Sequence, residues 1–152
     1  MLGFHEYLRR WAADRRNIVQ LEQDTLVATA AFGDLESLRI LIAAGVSPDQ
    51  GDDEGSTALM IAISCGYRSV YEYLVTEAKA DVQLKNTRGQ DAMMFAIIAQ
   101  DSEAVRLLLR SGFDVTRSRS RKAAKTPLDL AETVGNSEIL KLLRGASAKK
   151  AD

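Results

Sequence analysis

Gly55-Ser56-Thr57-Ala58-Leu59-Met60-Ile61-Ala62-Ile63-Ser64-Cys65-Gly66 is the stretch that decides the fold, because the chain writes it more than once. It returns loosely as Gly89-Gln90-Asp91-Ala92-Met93-Met94-Phe95-Ala96-Ile97, and again as Thr126-Pro127-Leu128-Asp129-Leu130-Ala131 with Gly135 behind it. A weaker copy runs from Asp24 to Gly33. Leu26, Leu59, Met93 and Leu128 hold the same place in the four copies, 33, 34 and 35 residues apart. Downstream the register persists. Leu41, Leu74, Leu108 and Leu143 form one column, Ile40, Tyr73, Leu107 and Leu142 the next, and Gly45, Ala78 and Gly112 close the units. A period near 33 describes small units that cannot hide their apolar faces alone and must stack on one another.

The residue types explain how each unit begins and turns. Thr57 and Thr126 are good N-caps, and Pro127 stands at a first helical position, where its missing N–H costs nothing. Ala62, Ala96 and Ala131 are small enough for neighbouring helices to approach, while Gly33, Gly66 and Gly135 suit the turn into a second helix. That second helix carries apolar residues at helical spacing, as in Val105, Leu108 and Leu109. The pattern resembles the ankyrin repeat, whose signature Thr-Pro-Leu-His-x-Ala is matched best by Thr126 to Ala131. The resemblance covers roughly residues 24 to 145 and implies an all-α repeat solenoid of helix-turn-helix units with short β-hairpin fingers.

The expected organisation is an N-terminal helical cap over residues 1–23, four repeats at about 24–50, 51–84, 85–116 and 117–145, and a flexible tail over 146–152. Phe4, Leu8, Trp11, Ala12, Ile18 and Val19 recur at roughly helical spacing in the cap, with Arg9, Arg10, Arg15 and Arg16 between them. Arg144 replaces the apolar Ile42, Val75 and Leu109 of earlier units and so polarises the last outer face. Four departures stand out. The first copy lacks a hairpin glycine, Gln100 replaces the turn glycine of the third, Lys79 is an insertion, and Arg117 to Lys125 carries two extra residues.

Chemistry is hard to build from these residues. The 152-residue chain has a formal net charge of -1, with 46% hydrophobic and 27% charged residues, so no global basic field invites nucleic acid or an anionic membrane. Its one histidine, His5, lies outside the repeats, which removes Ser-His-Asp and Cys-His constellations there. Cys65 is the single cysteine, so no internal disulfide and no cysteine-rich zinc site can form. No phosphate-cradling glycine loop occurs, and Asp49, Asp52, Asp53 and Glu54 lack the ligand spacing of a calcium loop. No stretch has the length and apolarity of a membrane span. We therefore expect no catalytic residue, no metal, no cofactor and no membrane partner, in a monomer of a reducing, cytoplasmic compartment.

The resemblance implies that binding occurs on a concave groove formed by the fingers and the exposed side of the first helices. Carried over position by position, that surface is Ala31 and Phe32; Asp53, Glu54, Ser56, Ser64 and Cys65; Thr87, Arg88, Gln90, Ile98 and Ala99; and Lys125, Thr133 and Val134. Phe32, Cys65, Ala99 and Val134 share one repeat position and are expected to form an apolar stripe with Phe32 as its anchor. The fingers change sign along the stack, from Asp52, Asp53 and Glu54 through Lys85 and Arg88 to the basic Arg117, Arg119, Arg121, Lys122 and Lys125. The expected partner is a folded protein, bound by an adaptor or by an inhibitor or protective binder of one enzyme. The alternative is nucleic acid on the basic finger 117–125, a reading weakened by the absence of aromatic stacking residues beside it.

Overall fold

The computed structural model describes residues 3–13, 25–118 and 125–148. Among them lie nine α-helices: α1 (Phe4–Ala13), α2 (Thr25–Ala31), α3 (Leu35–Ala43), α4 (Ala58–Cys65), α5 (Arg68–Thr76), α6 (Ala92–Ile98), α7 (Ser102–Arg110), α8 (Pro127–Val134) and α9 (Ser137–Ala148). A single 3-10 turn spans Val115–Arg117. Helices α2, α4, α6 and α8 pack in sequence as an inner row, and α1, α3, α5, α7 and α9 pack in sequence as an outer row. The chain is an all-helical repeat solenoid.

Inner helices α4, α6 and α8 each start at a capping residue. The Thr57 and Thr126 hydroxyls accept the N–H groups of Met60 and Asp129, and Asp91 performs the same service for Met94. Thr126 and Asp129 form a reciprocal capping box ahead of Pro127. Ala30, Ala62, Ala96 and Ala131 are wholly buried between the inner helices, alongside Leu26, Leu59 and Met93. Leu38, Leu74, Leu108 and Leu143 fill the gap between the rows, so one core runs the length of the stack. The fingers are present as two single bridges, Gly51 with Thr57 and Lys85 with Asp91.

The departures resolve differently from one another. Gln100 adopts φ +55, the left-handed conformation of Gly33, Gly66 and Gly135, so the third turn keeps its shape at the cost of a strained side-chain-bearing residue. Lys79, rather than Ala78, takes the place of Gly45 and Gly112. Its φ is +58 against their +105 and +88, and the next N–H bonds back to the last core leucine in all three units: Val46 to Leu41, Ala80 to Leu74, and Phe113 to Leu108. The extra residue therefore lengthens the turn after α5, a helix that at nine residues is no longer than α3 or α7, and Ala78 drops out of the terminating column.

At the chain ends, α1 packs on α3, and Leu8 reaches the core. Ile18, Val19 and the rest of 14–24, and the side chains of Phe4, Trp11 and Ala12, lie outside the described residues. So do 119–124, with Arg119, Arg121 and Lys122 of the basic finger. Within the stretch expected as a tail from residue 146, Ala146 to Ala148 form the last turn of α9, where Ser147 Oγ donates to the Leu143 carbonyl at 3.0 Å. Residues 149–152 lie outside the described residues.

Candidate protein-binding groove

The two rows differ in what they show to water. Helices α2, α4 and α6 contain no charged residue at all. Phe32 at the end of α2 is 82% exposed, and Ile98 at the end of α6 is 53% exposed. The outer row is laced by ion pairs that step from one repeat to the next: Arg9 with Glu36, Arg39 with Glu77 at 3.2 Å, Arg68 with Glu103 at 3.6 Å, and Arg106 with Glu138. Arg39 also stacks over the Tyr73 ring, 4.7 Å from its centre.

The fingers are tied together more tightly than their alternating charges imply. Asn86, buried at the root of the second finger, takes the backbone N–H groups of Arg88 and Gln90 on its carbonyl oxygen. It donates to Ser56 Oγ at 3.4 Å and to Gln90 Oε1 at 3.2 Å. The Thr87 N–H donates to the Glu54 carbonyl at 2.8 Å. Ser56 is consequently not a surface residue. It is 5% exposed and faces Asn86, because the second finger closes over it. Gln90 is half-buried in the same network. Asp52 gives one carboxylate oxygen to the N–H groups of Glu54 and Ser56, which makes it a turn-former. Glu54 pairs with Arg88 at 2.9 Å, so two residues expected at different steps of a charge gradient neutralise each other.

The remaining groove residues divide. Asp53, Ser64, Cys65, Thr87, Ile98, Ala99, Lys125 and Thr133 are exposed, and Ala31 and Val134 are half-buried. Cys65 and Ala99 line one open recess of about 600 Å³, together with Ser64, Gly66, Gln100, Asp101, Ser102, Glu103 and Glu138. Phe32 lines a separate hollow of about 310 Å³ with Leu8, Ala28 and Leu41, alongside Thr25, Thr29, Asp34 and Ser37. Phe32 and the pair Cys65 and Ala99 thus border different recesses, each with a carboxylate among its lining residues.

One exposed residue escaped the sequence reading. Tyr67, 38% exposed, occupies the N-cap of α5 and makes no side-chain cap. Its counterparts Asp34, Asp101 and Asn136 all cap their helices. The Tyr67 ring lies instead against Gly33, where a Cβ would stand 2.6 Å from it. The column Asp34, Tyr67, Asp101, Asn136 carried the signal: a capping position that gives up its cap.

Electrostatics separate structural carboxylates from free ones. Burial pushes Asp91 above the usual aspartate range, although the Ser118 hydroxyl and backbone N–H groups pull the other way. Burial also raises Asp34, but hydrogen bonds from Ser37 and His5 outweigh it and hold the carboxyl low. Glu138 is held low first by the Ser102 hydroxyl and then by Arg106. Tyr71 is driven well above its ordinary value by burial and then by its hydrogen bond to Asp101. Each of these groups serves a cap or a link between repeats. Among the described residues no group of His, Cys, Asp or Glu is arranged to hold a metal ion, and no helix is long and apolar enough to cross a membrane.

Comparison with known proteins agrees with the geometry. The family model described as ankyrin repeats (3 copies) matches residues 5–86 and 78–152. The chain is 31% identical over 119 residues to the B-cell lymphoma 3 protein homolog of Mus musculus, covering 74% of this chain and 26% of that protein. It is 30% identical over 129 residues to the mitochondrial disaggregase of Bos taurus, covering 82% and 18%. It is 28% identical over 122 residues to a putative ankyrin repeat protein of Rickettsia bellii, covering 80% and 66%. The chain therefore spans about a quarter of the first relative and under a fifth of the second. Ankyrin repeats are in general non-enzymatic modules of protein–protein interaction. The two helix rows, the paired fingers and a family match over both halves lead to one conclusion: this chain belongs to the ankyrin-repeat family.

Proposed function

We propose that the chain is a non-catalytic module that holds a folded partner protein in its concave groove, as an adaptor or as an inhibitor or protective binder of one particular enzyme. The uncharged run of inner helices α2, α4 and α6, with Phe32 and Ile98 exposed at their ends, is the observation that carries this reading. A charged group placed against α2, α4 or α6 loses hydration and finds no counter-charge on those helices, whereas apolar surface gains about 25 cal/mol per Å² buried. Bulky side chains at such a surface are the usual centres of binding energy. The working form in this reading is a monomer in a reducing, cytoplasmic compartment.

The test is affinity capture from the source cell's lysate, comparing the intact chain with a Phe32→Ala/Asp53→Lys/Glu54→Lys/Arg88→Glu variant. Exchanging Glu54 and Arg88 together preserves their ion pair, so the fold is kept while the surface changes sign. A protein held by the intact chain and lost from the variant supports the groove. Capture that is nuclease-sensitive and indifferent to the four changes overturns it and moves function to the basic segment 117–125.

A further inference from the structure

Three observations meet at the edge of the stack where inner helices turn into outer ones. The Tyr67 ring lies against Gly33, the residue after Phe32, so two exposed aromatic residues stand at the N-terminal end of that edge. Tyr67 holds that position without the side-chain cap that Asp34, Asp101 and Asn136 each supply. The ring gains a contact with Gly33 in place of the cap yet stays 38% exposed, and a local rule broken at an exposed aromatic residue often marks a residue kept for contact. Beyond Cys65 and Gly66 the same edge opens into the recess bordered by Asp101, Glu103 and Glu138.

The recess is short of positive charge. Arg68 reaches Glu72 at 2.7 Å and Glu103 at 3.6 Å, and Arg106 reaches Glu103 at 3.3 Å and also Glu138. Asp101 accepts from the Tyr71 hydroxyl and from the backbone N–H groups of Glu103 and Ala104. Three carboxylates, Glu72, Glu103 and Glu138, thus share two guanidinium groups, while Asp101 is held by a hydroxyl and backbone N–H groups. Asp101 already occupies N–H groups in the first turn of α7, so the site is turned against anions and open to cations.

We infer that this edge docks a basic, apolar segment of the partner protein: a bulky apolar side chain rests on Phe32 and Tyr67, and a lysine or arginine further along enters the recess beside Cys65, Asp101 and Glu138. Helices packed about 8–10 Å apart place the two subsites about 10–20 Å from each other, within reach of an extended segment of roughly six residues. Apolar contact at one end supplies affinity, and the carboxylates at the other select sign and direction. This inference rests on the protein-binding reading above and adds its chemistry.

The experiment uses the full chain and a pair of fluorescein-labelled peptides of about twelve residues. Both carry Trp-Leu at one end, and the other end carries three arginines in one peptide and three glutamates in its counterpart. Fluorescence anisotropy is expected to show the arginine peptide bound at least tenfold more tightly. Tyr67→Asp, which installs the capping residue of the neighbouring repeats and so protects the fold, is expected to weaken that binding fivefold or more without lowering the melting temperature. Glu103→Gln/Glu138→Gln is expected to remove most of the preference between peptides. Equal binding of the two peptides, or binding unchanged by Tyr67→Asp, overturns the inference. Sedimentation showing that two copies pair through Tyr67 overturns it as well, since the edge is then a dimer face. Lysate capture that depends on the groove variant but ignores Tyr67→Asp leaves the proposed function standing and removes only the docking edge.

Discussion

The inner and outer rows treat charge in opposite ways. Outer helices join each repeat to the next through Arg39 and Glu77, Arg68 and Glu103, and Arg106 and Glu138. Inner helices α2, α4 and α6 join through buried Leu26, Leu59, Met93 and wholly buried alanines, with no charge anywhere along them. Cohesion between repeats therefore comes from packing on the inside, while the outer charges answer one another in water. Exposed pairs of that kind contribute only about 0–1 kcal/mol each. The difference teaches which surface is already satisfied and which still has something to gain from a partner.

The sharpest way to break this comparison is to remove packing from the inner row. Leu59→Ala, at a site 1% exposed, is expected to lower stability by about 2–5 kcal/mol in urea unfolding. A loss below 1 kcal/mol would mean that the inner row is not what binds the repeats together.

Next in size is Asp91, which caps α6 and ties it to Ser118 across the repeat boundary. Asp91→Ala removes both contacts and is expected to cost about 1–3 kcal/mol. The pH dependence has a definite sign. Burial raises the folded-state value above 3.8, so the folded chain holds this proton more tightly than the unfolded chain. Ionised Asp91 therefore supports the fold less than protonated Asp91 does, and that difference fades as pH falls through its folded-state value toward 3.8. Asp91→Asn keeps an acceptor for the cap and is expected to abolish this local trend, seen as a more steeply falling acid limb in a series of urea midpoints, because the carboxylates held low, Asp34 and Glu138, then lose stability unopposed. An unchanged acid limb would remove Asp91 from the account.

A smaller test exploits strain. Gln100 holds φ +55 where the other inter-helix turns have glycine. Gln100→Gly is expected to raise stability by about 0.5–1 kcal/mol, the relief of the left-handed penalty outweighing glycine's extra chain entropy. A decrease would show that the Gln100 side chain, which lines the recess, contributes more than its backbone strain costs.

The smallest expected effect sharpens the comparison from the other side. Arg106→Gln, which removes the link to Glu138, is expected to cost less than about 1 kcal/mol, shrinking further when sodium chloride is raised. A salt-insensitive loss of several kcal/mol would place the outer pairs among the main supports of the stack.

The repeat was readable from the chain alone because every unit must offer its neighbour the same buried face, so Leu26, Leu59, Met93 and Leu128 recur whatever the surface does. The caps at Thr57 and Thr126 were readable for a similar reason, since an orphan N–H has few chemical remedies. The groove was readable only as positions. Ser56 looked like a free finger residue until Asn86 closed over it, and Glu54 and Arg88 looked like separate charges until the stack brought them within 2.9 Å.

What the sequence by itself determined is the solenoid and its register, because these follow from period, residue type and local capping. Only the three-dimensional structure decided that Lys79 rather than Ala78 takes the left-handed turn that ends the second repeat, and that Tyr67 gives up a cap to lie on Gly33. The first is a local backbone choice sealed by the Ala80 N–H on the Leu74 carbonyl, and the second joins residues 34 positions apart, which only stacking the repeats brings together.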